Sequence, residues 1–302
     1  MKTLGFYHKS DLDGRCSGAI LKYHIPDITL VGIDHGDPFP WNMINSGTIV
    51  YMCDFSLPDM NLMYRLWEKS AEFIWIDHHK SAIERYDKFC NDFYTINRTS
   101  WSLSGSRSIG KAACELTYEW FHPNEMIPLF IELLGAYDTW RNSDQNRWNR
   151  VILPFQYGMQ IESMNPEDHM EIWKEYFEDF GNLNGILQET IECGSSIRDY
   201  LNQRNSQNAE RNAYDAEFEG LRAVCINSSE HSSNILDSVY NPDLHDIMIV
   251  YTHQKDFWYV SLYSTKDDID CSKLASKYGG GGHFSASGFK ISNNQNLSWS
   301  IL

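Results

Sequence analysis

Aspartate and histidine side chains recur just after short apolar runs in the first half of the sequence. They are His8, Asp11, Asp13, Asp54, Asp77, His78, His79 and, at the end of an apolar helical segment, Asp138. The carboxyl ends of parallel strands lie at one edge of a sheet, so we expect three of these segments to meet there. Carboxylates packed together raise one another's pKa values unless cations neutralise them. The pattern therefore predicts a metal centre.

The ligand types indicate which metals would bind. Mixed oxygen and imidazole ligands suit Mn²⁺ or Mg²⁺, with Zn²⁺, Fe²⁺ or Co²⁺ as alternatives. Two ions about 3.5–4 Å apart can share a bridging carboxylate and activate a water for attack on phosphorus. A single aspartate after a strand is more often a turn former or helix cap. Four such segments in one chain favour a pair of divalent cations, with Mn²⁺ the first choice and Mg²⁺ or Co²⁺ the alternatives.

The elements that must position these residues alternate between strand and helix. Apolar runs predict buried strands at 4–7, 30–33, 49–52 and 73–76. Helical spacing is found at 17–24, 61–70, 111–121 and 125–137. This alternation is typical of βαβ units and predicts an α/β, Rossmann-like domain with a parallel sheet.

The character of the sequence changes after residue 164. Asn165 and Pro166, followed by two acids, predict the start of a helix, and polar helical sequence continues to about residue 212. Strand-like segments follow at 223–227, 246–252 and 258–263, and a further helix is predicted at 271–277. We predict three parts: a metal-binding catalytic domain at 1–164, a helical linker at 165–212, and a smaller α/β substrate-binding domain at 213–302. Two such domains form a cleft, a favoured place for a ligand.

The ordered set of motifs resembles a known family. The segment 8–14 (HKSDLDG), Asp54, the segment 77–79 (DHH) and Asp138 look like the four successive motifs of DHH phosphoesterases. The run 279–289 (GGGGHFSASGF) resembles the glycine-rich motif of their associated C-terminal domain. The chain length and the segment 74–80 most resemble the small phosphohydrolases of very short oligonucleotides, sometimes called nanoRNases. Some relatives space the first histidine and aspartate one residue further apart.

The resemblance implies a set of metal ligands. One ion would be held by His8 and Asp11, the other by Asp13, His78 and Asp138, and the bridge would be Asp54.

The resemblance also implies roles for the neighbouring residues. His79 would contact the scissile phosphate or help to protonate the leaving oxygen. Asp77 would orient His78 through its ring N–H, with a strand-end cap as the alternative. Gly14 would allow the tight turn from strand to helix and is structural.

Substrate contacts are expected mainly from the glycine run. Gly280, Gly281 and Gly282 offer backbone N–H groups without side-chain obstruction, and His283 adds an imidazole that can contact phosphate or a base. Taken alone, such a run is more typical of a flexible surface loop. Arg98, in a stretch rich in serine and threonine, is a further candidate, with a solvated surface charge as the alternative.

Two other features are set aside. The segment 34–37 (DHGD) looks like a metal cluster, but the glycine and proline beside it indicate a loop after the second strand, and we leave it out of the metal site. Trp140 could stack on a base, but core packing is the default for a tryptophan.

Composition limits the partners. The formal net charge of −16 argues against a broad grip on long duplex nucleic acid, but not against a small nucleotide bound at a metal cluster. Seven cysteines without a C-x-x-C pair disfavour a disulfide framework and a structural zinc site. The sequence shows neither a signal-peptide pattern nor a membrane-length apolar run, so we expect a cytoplasmic protein without a membrane partner. The oligomeric state, including a homodimer, stays open.

The sequence therefore predicts a metal-dependent phosphodiesterase that acts on short oligonucleotides or cyclic or opened dinucleotides. The enzymatic alternatives are a phosphatase of 3′-phosphorylated nucleotides and a manganese pyrophosphatase. The basic Ser-Arg-Lys-Lys-Gln stretch typical of those pyrophosphatases is missing from the sequence. The alternative from another class is an inactive DHH scaffold that serves as a binding subunit, although such proteins typically lack some of the ligands retained here.

Overall fold

A computed structural model describes residues 2–179, 185–230, 232–293 and 299–301. The chain divides into two compact units, Met1–Arg198 and Asp199–Leu302. No helix among the described residues is long and apolar enough to cross a membrane.

The first unit is built on a parallel sheet of four strands. These are β1 (Lys2–His8), β2 (Thr29–Ile33), β3 (Thr48–Cys53) and β4 (Glu72–Ile76). They lie in the order β2-β1-β3-β4, and all are parallel. The register pairs Tyr7 with Cys53 and Cys53 with Ile76. The carboxyl ends of β1, β3 and β4 are therefore level with one another, so the residues that follow them emerge together.

Helices cover both faces of this sheet. They are α1 (Leu12–His24), α2 (Met60–Lys69), α3 (Lys80–Asn97) and α4 (Ala113–Phe121). Alternate strand residues face opposite sides. Phe6, Met52 and Trp75 belong to an apolar cluster that includes residues of α2 and α3, whereas Cys53 and Ile76 belong to another with residues of α1 and α4. The predicted α/β class with a parallel sheet is confirmed.

A helical layer completes the first unit. Its members are α5 (Leu129–Asp138), the short α6 (Gln145–Arg147), a π-helical turn (Trp148–Ile152), α7 (Leu153–Met159), α8 (Met170–Glu178) and α9 (Ile186–Asn212). Trp173 of α8 and Leu187 of α9 share an apolar cluster with α1 and α5. The boundary between the compact units falls inside α9, after Arg198. Within the predicted helical segment 165–212, the described helices are α8, which begins only at Met170, and α9. Residues of α8 and of the start of α9 pack in the first unit.

The second unit is a smaller α/β structure. Its strands are β5 (Tyr214–Phe218), β6 (Leu221–Asn227), β7 (Ile247–Gln254), β8 (Phe257–Tyr263), β9 (Gly281–Gly282), β10 (Ala286–Ser292) and β11 (Trp299–Ile301). They lie in the order β11-β5-β6-β7-β8-β10-β9, and only β6 and β7 pair in parallel. The helix α10 (Cys271–Ser276) packs on this sheet, with Cys271 and Ala275 in its apolar core.

Candidate metal centre

The level strand ends bring the predicted acidic and histidine residues to one edge. His8 ends β1, Asp11 caps α1 by accepting a hydrogen bond from the backbone N–H of Gly14 at 2.8 Å, and Asp54 follows β3. A Cβ on Gly14 would lie 2.0 Å from the carbonyl oxygen of His8. The turn from strand to helix therefore requires glycine at this position, as its predicted structural role implies.

A first group of ligand atoms surrounds the ring of His8. Its Nδ1 atom lies 2.7 Å from Asp11 Oδ2 and 3.6 Å from Asp54 Oδ2. One ligand atom from each of these three residues lies within 4.8 Å of the ligand atoms of the other two.

A second group surrounds the ring of His78. Its Nε2 atom lies 3.3 Å from Asp54 Oδ1, 3.3 Å from Asp138 Oδ2 and 3.5 Å from Asp13 Oδ2. Asp54 thus presents one carboxylate oxygen to each group. The structure brings together all six predicted metal ligands in the two sets that the family resemblance implies; their binding of metal stays a prediction.

The backbone of Asp54 explains how one side chain reaches both groups. Its φ angle of 55° is left-handed, a conformation that costs most residues free energy but that aspartate tolerates better than most. The backbone N–H of Asp54 donates to the carbonyl oxygen of Ile76 at 2.9 Å, which ties it to β4. Its side chain is only 2% exposed, so the carboxylate is held inside the cluster.

The charges of the cluster are unbalanced in the metal-free protein. Burial, followed by the neighbouring carboxylates of Asp13 and Asp11, raises the pKa of Asp54 well above its ordinary value. Burial and Asp13 likewise raise the pKa of Asp138. Burial lowers the pKa of His8, but contacts with Asp11 and Asp54 outweigh it and raise that pKa to about 10.

Divalent cations fit both groups. Asp54 Oδ1 and Asp138 Oδ2 are buried and have no hydrogen-bond partner among the described residues. Unsatisfied buried ligand atoms are rare in folded proteins and call for an explanation. Carboxylate oxygens and imidazole nitrogens in this arrangement are ligands that Mn²⁺ or Mg²⁺ accepts.

Asp77 contacts a different ring from the one predicted. Its Oδ1 atom accepts hydrogen bonds from the backbone N–H groups of His78 (2.7 Å) and His79 (3.0 Å) and lies 2.8 Å from Nδ1 of His79. It is therefore both a strand-end cap and the partner of the His79 imidazole. His79 is the N-cap residue of α3, and its side chain is 34% exposed.

The remaining predicted residues lie elsewhere. Arg98 is the C-cap of α3, so the length of an 18-residue helix, about 27 Å, separates it from His79 at the other end. The structure does not bring Arg98 to the cluster. Gly280, Gly281, Gly282 and His283 lie in the second unit, before and within the β9–β10 hairpin.

The glycine run has a packing explanation of its own. A Cβ on Gly280 would lie 2.1 Å from the carbonyl oxygen of Gly288, and Gly282 has a φ of 142°. The backbone N–H of His283 donates to Ala286 at 2.8 Å. The hairpin therefore needs glycine at two of these positions, and phosphate binding by the run stays a prediction.

The segment 34–37, set aside in the sequence, lies against the cluster. Asp34 Oδ1 is 3.5 Å from Nε2 of His8, and the ring centroid of His35 is 5.7 Å from that of His8 and 5.0 Å from that of Phe55. Asp34 directly follows β2, just as Asp54 directly follows β3. The position of Asp34 at a strand end is therefore the sequence signal that links it to the other acids.

The electrostatics of the metal-free cluster predict how its stability depends on pH. Asp54, Asp138 and His8 all have raised pKa values, so these three groups bind more protons in the folded state than in the unfolded state, and their contribution to stability falls as pH rises. For His8 the contribution is complete below its ordinary value of 6.5 and is lost towards about 10. Bound cations reverse the trend because ligands must lose their protons to bind them.

We therefore expect the gain in melting temperature on adding Mn²⁺, relative to chelator, to widen between about pH 6.5 and 8.5. At 100 times the dissociation constant, one ion adds about 2.7 kcal/mol to the free energy of unfolding. Calorimetry with chelator and with Mn²⁺ across this range measures the effect. A gain that is constant with pH would contradict the picture of a protonated, metal-free cluster.

Comparison with known proteins finds relatives that are similar to this chain over part of their length. No family model matches the chain. It is 27% identical to protein R106 of Acanthamoeba polyphaga mimivirus over 249 residues, covering 80% of this chain and 53% of that protein. It is 28% identical to the oligoribonuclease NrnB of Bacillus subtilis (strain 168) over 229 residues, covering 72% and 52%. The chain thus spans about half the length of these curated relatives.

A solved structure with an alignment along nearly the whole chain is the pGpG-specific phosphodiesterase PggH from Vibrio cholerae. Its TM-score is 0.48 at 15% identity, and the alignment covers 97% of this chain and 94% of that one.

The fold and the site together define an α/β protein whose parallel strand ends gather two carboxylate–histidine groups around a shared aspartate. Four sequence motifs supply these groups, and part of the chain is similar in sequence to NrnB. These features agree with the resemblance to DHH phosphoesterases that the sequence motifs carry.

Proposed function

We propose that this protein is a metal-dependent phosphodiesterase of short oligonucleotides or of linear or cyclic dinucleotides. The observation that carries the proposal is the position of Asp54, whose two carboxylate oxygens face two separate histidine–carboxylate groups. The name of its relative NrnB, an oligoribonuclease, supports the substrate class. The cluster accounts for phosphoester chemistry, and the relative accounts for the choice of a nucleotide.

Two divalent cations, Mn²⁺ first, would be held by these side chains. The ligands are His8 and Asp11 for one ion, Asp13, His78 and Asp138 for the other, and Asp54 for both. When bound, such ions supply Lewis-acid activation of a water and of the phosphoryl oxygens.

His79 is suited to protonate the leaving oxygen. Burial lowers its pKa, but the carboxylates of Asp77 and Asp54 outweigh burial, and the net shift is upward. The raised pKa favours the protonated imidazole, the form that an acid requires. Asp77, 2.8 Å from Nδ1, fixes the ring, and partial exposure of the side chain allows a substrate to approach. A positioned acid of this kind accelerates bond cleavage by roughly 10²–10⁴-fold.

The second unit supplies groups suited to a nucleotide away from the scissile bond. A groove of about 440 Å³ lies beside the glycine run and is lined by residues that include Tyr259, Ser261, Gly280, Gly288 and Lys290. It combines an aromatic ring, a cation and open backbone, and aromatic rings stack on bases of any sequence. Contacts with remote parts of a substrate position the reacting phosphate and so affect rate as well as affinity.

A panel of substrates with Mn²⁺ tests the proposal. We expect the highest kcat/KM for RNA of two to five nucleotides or for a linear or cyclic dinucleotide, and a steep fall towards twenty-mers. Pyrophosphate and 3′,5′-bisphosphates test the two enzymatic alternatives, and Asp54→Ala purified in parallel excludes a contaminating nuclease. A preference for pyrophosphate would contradict the proposal and indicate a pyrophosphatase. Tight binding of metal and dinucleotide without turnover would indicate a binding subunit.

The substrate role of the second unit makes a separate prediction. His283→Ala should lower kcat/KM for a dinucleotide by roughly tenfold or more, the scale of about 1.4 kcal/mol of lost contact. It should leave bis-p-nitrophenyl phosphate, which has no second phosphate, nearly unchanged. His253→Ala, at an exposed histidine of the same unit, is the matched control. An equal effect of His283→Ala on both substrates would show that this residue does not take part in substrate recognition.

A further inference from the structure

The loop that follows β2, residues 34–37, is held against the cluster by contacts with the first motif and within the loop itself. The hydroxyl of Ser10 donates to Asp34 Oδ1 at 2.6 Å, and the backbone N–H of Asp34 donates to Asp37 Oδ2 at 3.1 Å. The Lys9 ammonium lies 2.6 Å from Asp37 and 3.7 Å from Asp34. Asp34 is therefore fixed from two sides by residues of the first motif and of its own loop.

The imidazole of His8 has carboxylates at both of its nitrogens. Nδ1 faces Asp11 and Asp54, the other members of the first metal group, at 2.7 and 3.6 Å. Nε2 faces Asp34 Oδ1 at 3.5 Å, at the outer limit of hydrogen-bonding distance. Metal-binding histidines commonly donate their second ring N–H to a carboxylate, which fixes the tautomer and strengthens the ligand.

We infer that Asp34 is a positioning residue of the metal centre: it accepts the Nε2–H of His8 and so presents Nδ1 as the ligating nitrogen of the first metal group. The inference rests on the proposed function and extends it to a residue outside the family motifs. The simpler alternative is that Asp34 only stabilises the loop through Ser10. If Asp34 only stabilises the loop, its loss leaves the affinity of each metal site unchanged. If Asp34 orients His8, its loss weakens the one metal site to which His8 belongs.

Metal titration separates these roles. Metal-free wild type, Asp34→Ala, Asp34→Asn and Ser10→Ala would be titrated with Mn²⁺ without substrate, and free Mn²⁺ would be followed by electron paramagnetic resonance. Asp27→Asn removes the same charge at an exposed residue of the first unit and is the matched control. Melting temperatures with chelator identify any variant that is unfolded.

We expect Asp34→Ala to weaken one of the two Mn²⁺ sites by about 10–100-fold and to leave the other unchanged, the usual effect of losing a carboxylate behind a ligating histidine. Asp34→Asn should weaken the same site less, because the amide oxygen still accepts the N–H but carries no charge. Ser10→Ala should have a smaller effect on the same site, and Asp27→Asn none.

Unchanged Mn²⁺ affinities in Asp34→Ala, or an equal loss at both sites, would overturn the inference. If wild type binds two ions and cleaves dinucleotides while Asp34→Ala binds them as tightly, only the role of Asp34 fails. If wild type binds no Mn²⁺, the proposed function fails with it.

Discussion

Replacement of Asp54 by alanine or asparagine is expected to remove both metal ions and to lower kcat/KM by about 10³-fold or more. Among the residues that the structure describes, Asp54 is the carboxylate that faces both groups, through Oδ2 towards His8 and Oδ1 towards His78. Loss of Lewis-acid stabilisation worth several kcal/mol has this scale, since each 1.36 kcal/mol is a factor of ten in rate. Metal content of the purified variants and turnover of a dinucleotide with Mn²⁺ measure the two effects.

The asparagine variant also shows that the loss does not come from unfolding. Asparagine tolerates the left-handed φ of 55° that residue 54 adopts, so the backbone can keep its conformation. Burial and the acids around it raise the pKa of Asp54, so a charged carboxylate there is unfavourable without metal. We therefore expect metal-free Asp54→Asn to melt at or above the temperature of metal-free wild type. Near-normal metal content and rate in this variant would show that Asp54 is not the bridge.

The positions of the metal-site residues other than Asp138, which ends α5, could be predicted because they depend on the sheet. A parallel sheet brings its strand ends to one edge, so finding the apolar runs of β1, β3 and β4 was enough to place the residues that follow them. The left-handed turn that aims Asp54 at both groups is a local feature of the chain, which a strand pattern does not encode. Asp34 follows β2 in the same way, but the glycine and proline beside it are typical of a loop, and that pattern hides its position against the cluster.

The contact between Asp77 and its histidine partner could not be predicted, because it depends on the turn after β4. Asp77, His78 and His79 are consecutive, and which imidazole meets the Asp77 carboxylate depends on side-chain rotamers and on how α3 begins. The helix α3 itself was not predicted, because only Ala82 and Tyr86 of its residues are buried. A mostly exposed helix has a weak apolar pattern, and periodicity is the main signal from sequence.

The second unit was predicted in outline. Strands β6, β7 and β8 were expected, since they are continuous apolar runs. The strand β5 is short and alternates two buried residues with exposed acids, so its sequence gives little signal. β9 has only two glycines and is defined by its pairing with β10. Pairing of this kind is a tertiary effect, and no local propensity reports it.

The largest separable effects within the site are expected from its two adjacent histidines. His78→Ala should lower metal content, because Nε2 of His78 has three carboxylate oxygens 3.3–3.5 Å away and belongs to the second metal group. His79→Ala should leave metal content nearly intact while lowering turnover by about 10²–10⁴-fold, the usual scale for a lost acid. Metal analysis of each variant beside dinucleotide turnover measures both.

Either histidine could in principle be the metal ligand, because His79 also has a nitrogen near the cluster. Its Nδ1 atom lies 3.6 Å from Asp54 Oδ1, and Asp54, His78 and His79 together could hold an ion. The same Nδ1 is 2.8 Å from the fully buried Asp77, which holds it as a donor rather than as a ligand. Asp77→Asn is therefore expected to lower turnover in the direction of His79→Ala without loss of metal. Metal loss in His79→Ala with normal occupancy in His78→Ala would mean that the two histidines exchange roles.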